Sequence, residues 1–203
     1  MPQIENNTMF KISYGLFVLT AKLAEKDNGC IINTVQQISQ QPLKISVAVN
    51  KSNYTHDIIK STGEFNVSVL TESTPFSVFE RFGFQSGRDA DKFSGFDKAE
   101  RSENGILYLT EYSNAFISAK VICEVDCDSH TLFVAEVTEA KEISKEESVT
   151  YNFYHKNIKP KPESAKKSGY VCKICGYVYE GETLPEDFIC PLCKHGAADF
   201  EKL

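Results

Sequence analysis

Four of the chain's seven cysteines stand near its end as two C-x2-C pairs, Cys172–Cys175 and Cys190–Cys193, with 14 residues between the pairs. Two residues between paired cysteines let one tight turn aim both sulfurs at one point. The second pair can then close a tetrahedral four-thiolate cage. Residues 170–203 are too few to bury a core that folds alone, so a metal staple is the physical means of holding them. Disulfides are the alternative, but adjacent C-x2-C pairs suit chelation better in a reducing compartment. Spacing fits a structural zinc ribbon as well as a redox iron site. Tyr170, Tyr177, Tyr179, Phe188 and Phe200, with Val171, Ile174, Val178, Ile189 and Leu192, form a water-excluding shell that would tune a metal's potential. Zinc ribbons also use aromatics as core.

Composition sets the remaining bounds. With 203 residues, 41% hydrophobic and 25% charged, the chain reads as soluble and globular, with one or two domains. Its start is polar, without a basic segment leading into an apolar one, and no apolar run nears the ~18 residues of a membrane span. The expected location is the cytoplasm, with no membrane partner. The net charge of −6 divides unevenly: −7 over residues 1–155, +4 over 156–169 and −3 over 170–203. An acidic end argues against nucleic acid, because phosphate binding needs a basic face. A basic docking surface on another protein suits it better.

Along the chain, residues 13–23 read as a buried strand, Asp27-Asn28-Gly29 as a hairpin turn, and 30–38 as the returning strand. Pro42 breaks that run, and 43–50 reads as a third strand. A short helix starts around Ile58-Ile59 and ends at Gly63, a strand covers 65–70, and a second helix opens at Pro75. Residues 84–96 are a polar loop. Strands follow at 105–110, 115–126 and 131–140, the last two flanking a Cys127–His130 turn. Mostly antiparallel strand with two short helices predicts a β-barrel. The division is therefore residues 1–155 as a barrel domain, 156–169 as a Pro- and Lys-rich linker, and 170–203 as the metal module.

Small polar donors interrupt the apolar strands. Asn33-Thr34 breaks the second one, and Ser52, Asn53, Thr55 and His56 crowd a strand-to-helix junction. A helix amino end with hydroxyls suits a phosphate, yet Ser52 or Asn53 as an ordinary N-cap, and Asn33-Thr34 as a polar sheet edge, explain the same residues. Arg88 and Lys92 are loop charges that meet either a phosphate, a dimer partner or solvent, and solvation is the commoner fate. Cys30, Cys123 and Cys127 are expected to be core thiols. No G-x-G-x-x-G or G-x-x-x-x-G-K motif occurs, so a dedicated dinucleotide fold is not expected.

Two resemblances sharpen this reading. Tyr170-Val171-Cys172-x-x-Cys175-Gly176-Tyr177 with Cys190-Pro191-x-Cys193 resembles rubredoxin, in the shortened form appended to larger proteins, which implies one iron on four cysteines. Tyr14–Thr20, Asn28–Thr34, Val47–Asp57, Ser86–Phe93 and His130–Val137 resemble the flavin reductase-like family over about residues 8–155. That resemblance implies a split β-barrel that dimerises and holds FMN without a covalent bond. It implies flavin contacts at Asn33 and Thr34, and phosphate contacts at Ser52, Thr55 and His56, with Lys51, Asn53 and Arg88 assisting. His130 fits either a turn or a contact to the flavin ring. His155 fits either a helix cap or the lining of the flavin site. No catalytic residue is assigned.

Together the two parts resemble the high-molecular-weight rubredoxins of anaerobes. The implied function is electron transfer between FMN and a one-iron centre, toward a flavodiiron protein that reduces O2 or NO. The rivals are an NAD(P)H-dependent flavin or rubredoxin reductase, or a flavin-binding protein with a structural zinc ribbon. NAD(P)H would then stack directly on an exposed flavin, and an NAD(P)H:rubredoxin reductase is the alternative redox partner.

Overall fold

The computed structural model describes residue 8 and residues 11–160, 169–174, 176–190 and 195–203. The barrel is built from β1 (Phe17–Leu23), β2 (Lys26–Ile32), β3 (Gln36–Gln40), β4 (Leu43–Asn50), β5 (Glu64–Leu70), β8 (Ser113–Cys127) and β9 (His130–Glu142). They pair antiparallel in the order β2-β1-β5-β8-β9-β4-β3. Helix α1 (Tyr54–Thr62) links β4 to β5, and α2 (Phe76–Gly83) follows β5. A small hairpin, β6 (Ala99–Arg101) with β7 (Leu107–Leu109), lies apart from the main sheet.

Strand β1 is apolar on consecutive positions from Phe17 to Leu19 because both of its faces are covered. Leu19 and Ala21 point into a core shared with Ile58, Ile59, Phe65, Val67, Phe133 and Ala135. Leu16 and Val18 join a second core with Leu70, Phe79, Phe82, Val149 and Tyr154. The first core draws on β2 at one end of the strand order and on β4 near the other, so the sheet must curl around it. Helix α1 packs into that first core, and α2 covers the outer face. Gly63 ends α1 with φ 73°, where a residue without Cβ carries no steric penalty.

Several expectations need correcting. The first hairpin turns at Ala24-Glu25, between Leu23 and Lys26, and Asn28-Gly29 sits inside β2 opposite Ala21 and Thr20. The side chain of Asn28 is 2% exposed, and its amide donates from Nδ2 to Thr55 Oγ1 at 2.8 Å. A tertiary partner therefore holds a pair of residues that in isolation favours a turn. The expected strand 30–38 is two strands, broken at 33–35, where Thr34 Oγ1 donates to Ala48 O (2.7 Å) and accepts from Ala48 N (3.2 Å). Cys123 and Cys127 are exposed, because β8 runs past its last pairing with β5 at Lys120 and its end is left as an edge beside β9, which remains in the core. Cys30 is buried as expected. Lys92 is 2% exposed rather than solvated, and its Nζ donates to Gly29 O (2.8 Å) and Phe82 O (3.0 Å).

After β9 the chain forms one short helical turn, α3 (Tyr151–Phe153), which widens into a π-type turn over Tyr154–Ile158. Ordered structure thus extends into the segment read as linker. The C-terminal module is a three-stranded antiparallel sheet in the order β11 (Val178–Tyr179), β10 (Tyr170–Cys172), β12 (Phe200–Lys202). No helix among the described residues is long and apolar enough to cross a membrane.

Candidate functional site

A cavity of about 550 Å³ opens on the barrel's flank. That volume lies in the usual range for small-molecule sites, roughly 300–1,000 Å³. Asn28 and Ile31 of β2 form one wall, and Asn50, Ser52, Asn53 and Tyr54 bring the β4–α1 junction to it. The end of α2 and the following loop, Phe79 and Gly83 to Asp89, form another wall, with Lys92 beyond them. Tyr151 and Tyr154 supply aromatic surface, and Ile174 and His195 of the C-terminal module complete the lining.

Local chemistry shapes each wall. Asn50 Oδ1 accepts from Ser52 N at 2.8 Å, and Asn50 O accepts from Asn53 N at 3.0 Å, which turns the chain into α1. Asn53 occupies the N-cap position but makes no side-chain cap bond, and the acidic residue of the first turn, Asp57, is engaged by His56 and Arg88. The Tyr54 ring lies between two cations, Lys26 Nζ at 4.7 Å and the Arg88 guanidinium at 5.1 Å. Arg88 is anchored by Asp57 Oδ2 at 2.6 Å. His56 and then Arg88 hold the Asp57 carboxyl below the usual carboxylate range. Gly87 approaches so closely that a Cβ there would lie 2.0 Å from Asn28 Oδ1. Burial pushes the Cys30 thiol up and the Lys92 ammonium down from their ordinary values.

Of the residues singled out by sequence, Ser52, Asn53 and Arg88 line this cavity. Thr55 and His56 sit one layer behind. Thr55 is fully buried against Asn28, and His56 bonds Asp57 Oδ1 through Nδ1 (3.0 Å) and Thr131 Oγ1 through Nε2 (2.9 Å). Lys51 Nζ instead pairs with both oxygens of Asp126 at 2.8 Å, which lowers that carboxyl. Asn33 and Thr34 lie in the β2–β3 connection, away from the cavity lining. His130 begins β9 and bonds Ser129 Oγ through Nδ1 at 2.9 Å. His155 lines a separate hollow of about 270 Å³ with Tyr151, Asn152, Lys173 and Ile174. The residues not foreseen are Asn28, Gly87 and the aromatic pair Tyr151 and Tyr154. An asparagine and a glycine amid apolar strand and polar loop are the signals that pointed to them.

In the C-terminal module, Cys172 is 1% and Cys190 0% exposed, packed with Phe200 and flanked by Tyr177, Tyr179 and Phe188. The first cysteine turn closes through Gly176 N–H to Cys172 O and Cys172 N–H to Tyr177 O, both at 2.8 Å. Gly176 takes φ 81°, a conformation that favours glycine. The second turn is bridged by Cys190 N–H to His195 O at 2.8 Å. Two turns closed this way, with buried sulfurs in an aromatic shell, suit a thiolate-bound metal. Cys175 and Cys193 lie outside the described residues.

Comparison with known proteins decides what these sites belong to. Residues 9–161 match the model of the family described as flavin reductase like domain. The chain belongs to the flavin reductase-like family. Residues 170–201 match the rubrerythrin, rubredoxin-like domain. Across 98% of its length this flavin reductase-like chain is 34% identical to the whole of a high molecular weight rubredoxin from Moorella thermoacetica. It is 40% identical to a ferric-chelate reductase (NAD(P)H) from Archaeoglobus fulgidus, over 72% of this chain and 86% of that one. Among solved structures, an NADH:FAD oxidoreductase from Streptomyces globisporus shares the fold at TM-score 0.65 and 20% identity, covering 71% of this chain and 84% of its own. An FMN-binding protein from Thermus thermophilus does so at TM-score 0.62 and 20% identity, covering 70% and 78%. The expected mainly β fold is borne out. The chain is an electron-transfer oxidoreductase that uses flavin and iron.

Proposed function

We propose that this chain binds FMN in the 550 Å³ cavity and one iron on Cys172, Cys175, Cys190 and Cys193, and passes electrons from the first site to the second. One observation carries the reading: the cavity lined by barrel residues also takes Ile174 and His195 from the two cysteine turns. FMN accepts electrons in pairs and a single iron carries one, so bound together they convert hydride-type input into single-electron output. The chain's own residues supply the rest. The uncapped amino end of α1, with Ser52, Asn53 and Arg88, would hold an anionic phosphate, and Tyr54 with its two stacked cations would raise the local positive potential. Tyr151 and Tyr154 offer apolar faces for an aromatic ring. In the module, Tyr177, Phe188 and Phe200 keep water from the sulfurs.

Residues 1–155 as the flavin domain, 156–169 as tether and 170–203 as iron domain follow from this reading. Homodimerisation is part of it. Ile122 and Val125 near the end of β8 are 49% and 47% exposed, as is Ile38 at 49%, apolar surface that a second copy would cover. The acceptor we propose is a flavodiiron O2 or NO reductase in the cytoplasm. Direct reduction by NAD(P)H is the second reading, favoured by the likeness to the Archaeoglobus fulgidus protein.

Anaerobic purification with metal analysis and a visible spectrum tests the proposal. One iron and one FMN per chain, with the absorption of a ferric tetrathiolate, is the expected result. Stoichiometric zinc without iron would leave a flavin-holding barrel with an inert appendage. Flavin bleaching by NAD(P)H without any added reductase would support the second reading.

A further inference from the structure

The junction between the two parts has its own construction. Lys159 Nζ donates to the backbone oxygens of Lys173 (3.0 Å) and Ile174 (2.7 Å), the two residues between the first pair of cysteines. Its backbone N–H is bonded to Tyr154 O at 2.8 Å, and Tyr154 belongs to the barrel's second core. Lys159 therefore has one end fixed in the barrel and the other on the metal-binding turn. Phe84, immediately after α2, packs into the module's own aromatic cluster with Tyr177, Phe188 and Phe200 and is held from the barrel side by Phe76 at 5.8 Å.

We propose that Lys159 and Phe84 form a docking site for the C-terminal module, which holds its cysteine turns at the mouth of the flavin cavity and releases them for delivery. The inference deepens the electron-transfer reading and rests on it. Orientation supports it: among the described residues of the module, Ile174 and His195, one from each cysteine turn, reach the cavity, so the metal end faces the flavin site. Separability is supported by the packing. A hollow of about 270 Å³ remains between Tyr151, Asn152 and His155 on one side and Lys173 and Ile174 on the other. There the buried His155 Nε2 has no hydrogen-bond partner among the described residues. A hollow left along the seam is what a transient contact between domains allows, whereas a permanent one would be packed like a core. Lys159 is a positioning residue, since it touches backbone carbonyls and no reacting group.

The test uses the full chain with flavin and metal bound. Amide hydrogen exchange is followed in peptides covering Phe84–Arg88 and Lys173–Ile174, with small-angle scattering alongside. Lys159→Met removes the donor but keeps the chain length, and should raise exchange in both peptides about 10-fold, the ratio that one hydrogen bond to a charged group is worth. Scattering should broaden in parallel. Lys159→Arg keeps a cationic donor and should stay within about 2-fold of the parent, by the same bond's persistence. Phe84→Ala should repeat the Lys159→Met result by removing the aromatic contact. Unchanged exchange and scattering in both Lys159→Met and Phe84→Ala would overturn the docking site. Absence of iron or flavin from the parent chain would instead defeat the electron-transfer reading, and the exchange data would still decide whether the contact exists.

Discussion

Gly87→Ala probes the cavity wall at its tightest point. The added methyl would lie 2.0 Å from Asn28 Oδ1, 2.5 Å from Cγ and 2.8 Å from Nδ2. Asn28 cannot yield freely, because it is 2% exposed and its Nδ2 holds Thr55 Oγ1 at 2.8 Å. Admitting the methyl means swinging the amide away and leaving a buried donor and a buried hydroxyl without each other. The lost bond costs ~1 kcal/mol and an unpaired buried group ~1–3 kcal/mol, so the variant should lose roughly 2–4 kcal/mol. In a chain of this size that lowers Tm by roughly 4–16 °C. Because Asn28 and Gly87 both line the cavity, flavin affinity should fall in the same variant. Thermal unfolding gives the first quantity and fluorescence titration of flavin into stripped protein gives the second. A double-mutant cycle isolates the cause: Asn28→Ala removes the obstructing amide, so Gly87→Ala in that background should cost under ~0.5 kcal/mol. If Gly87→Ala is as damaging there as in the parent chain, the Asn28 contact is not responsible and the reasoning fails.

Two further outcomes follow from the buried lysine and from the metal module. Lys92 is charged in the unfolded chain up to about its ordinary value of 10.5, but burial lowers that value in the native state. Folding therefore disfavours the charged form at neutral pH, and this burden lifts as pH rises through the window between the lowered value and 10.5. Lys92→Met should cost ~1–3 kcal/mol at pH 7 by stranding the Gly29 and Phe82 carbonyls. The stability difference between parent and variant should widen in the parent's favour across that alkaline window, as read from urea unfolding at several pH values; a constant difference would contradict the burial argument. Cys172→Ser should abolish stoichiometric iron and its visible absorption while one flavin per chain remains bound, measured by metal analysis and flavin release; loss of flavin as well would show that the two sites do not fold separately.

Much of this architecture was legible along the chain because it depends on neighbours in sequence. Gly63 ends α1 as its freedom at positive φ predicts, and the turn between Cys127 and His130 joins the two longest strands as their apolar patterning suggests. The two cysteine pairs are legible for the same reason, since chelation by a C-x2-C turn needs only four consecutive residues. Where a long-range partner overrides local preference, the pattern misleads. Asn28-Gly29 has the composition of a turn, yet Thr55 captures the asparagine and Thr20 pairs with the glycine, so both stay in the strand. Lys92 has the look of a solvated loop charge, but two carbonyls 10 and 63 residues away in the chain enclose its ammonium. Cys123 and Cys127 are spaced to share one strand face as core residues would, but the end of β8 that carries them runs past β5.

The proposed flavin contacts divide along the same line. Ser52, Asn53 and Arg88 are brought to one hollow only when the β4–α1 junction meets the loop after α2, an encounter no local pattern encodes. By itself the sequence determined that the chain carries two C-x2-C pairs and a mostly antiparallel barrel, because spacing and periodicity act over a few residues. Only the tertiary structure decided where the cavity lies, which polar residues face it and which are consumed in holding it, and that Lys159 ties the cysteine turn to its edge. Those outcomes depend on which distant surfaces exclude water from one another, and that is settled by the packed chain as a whole.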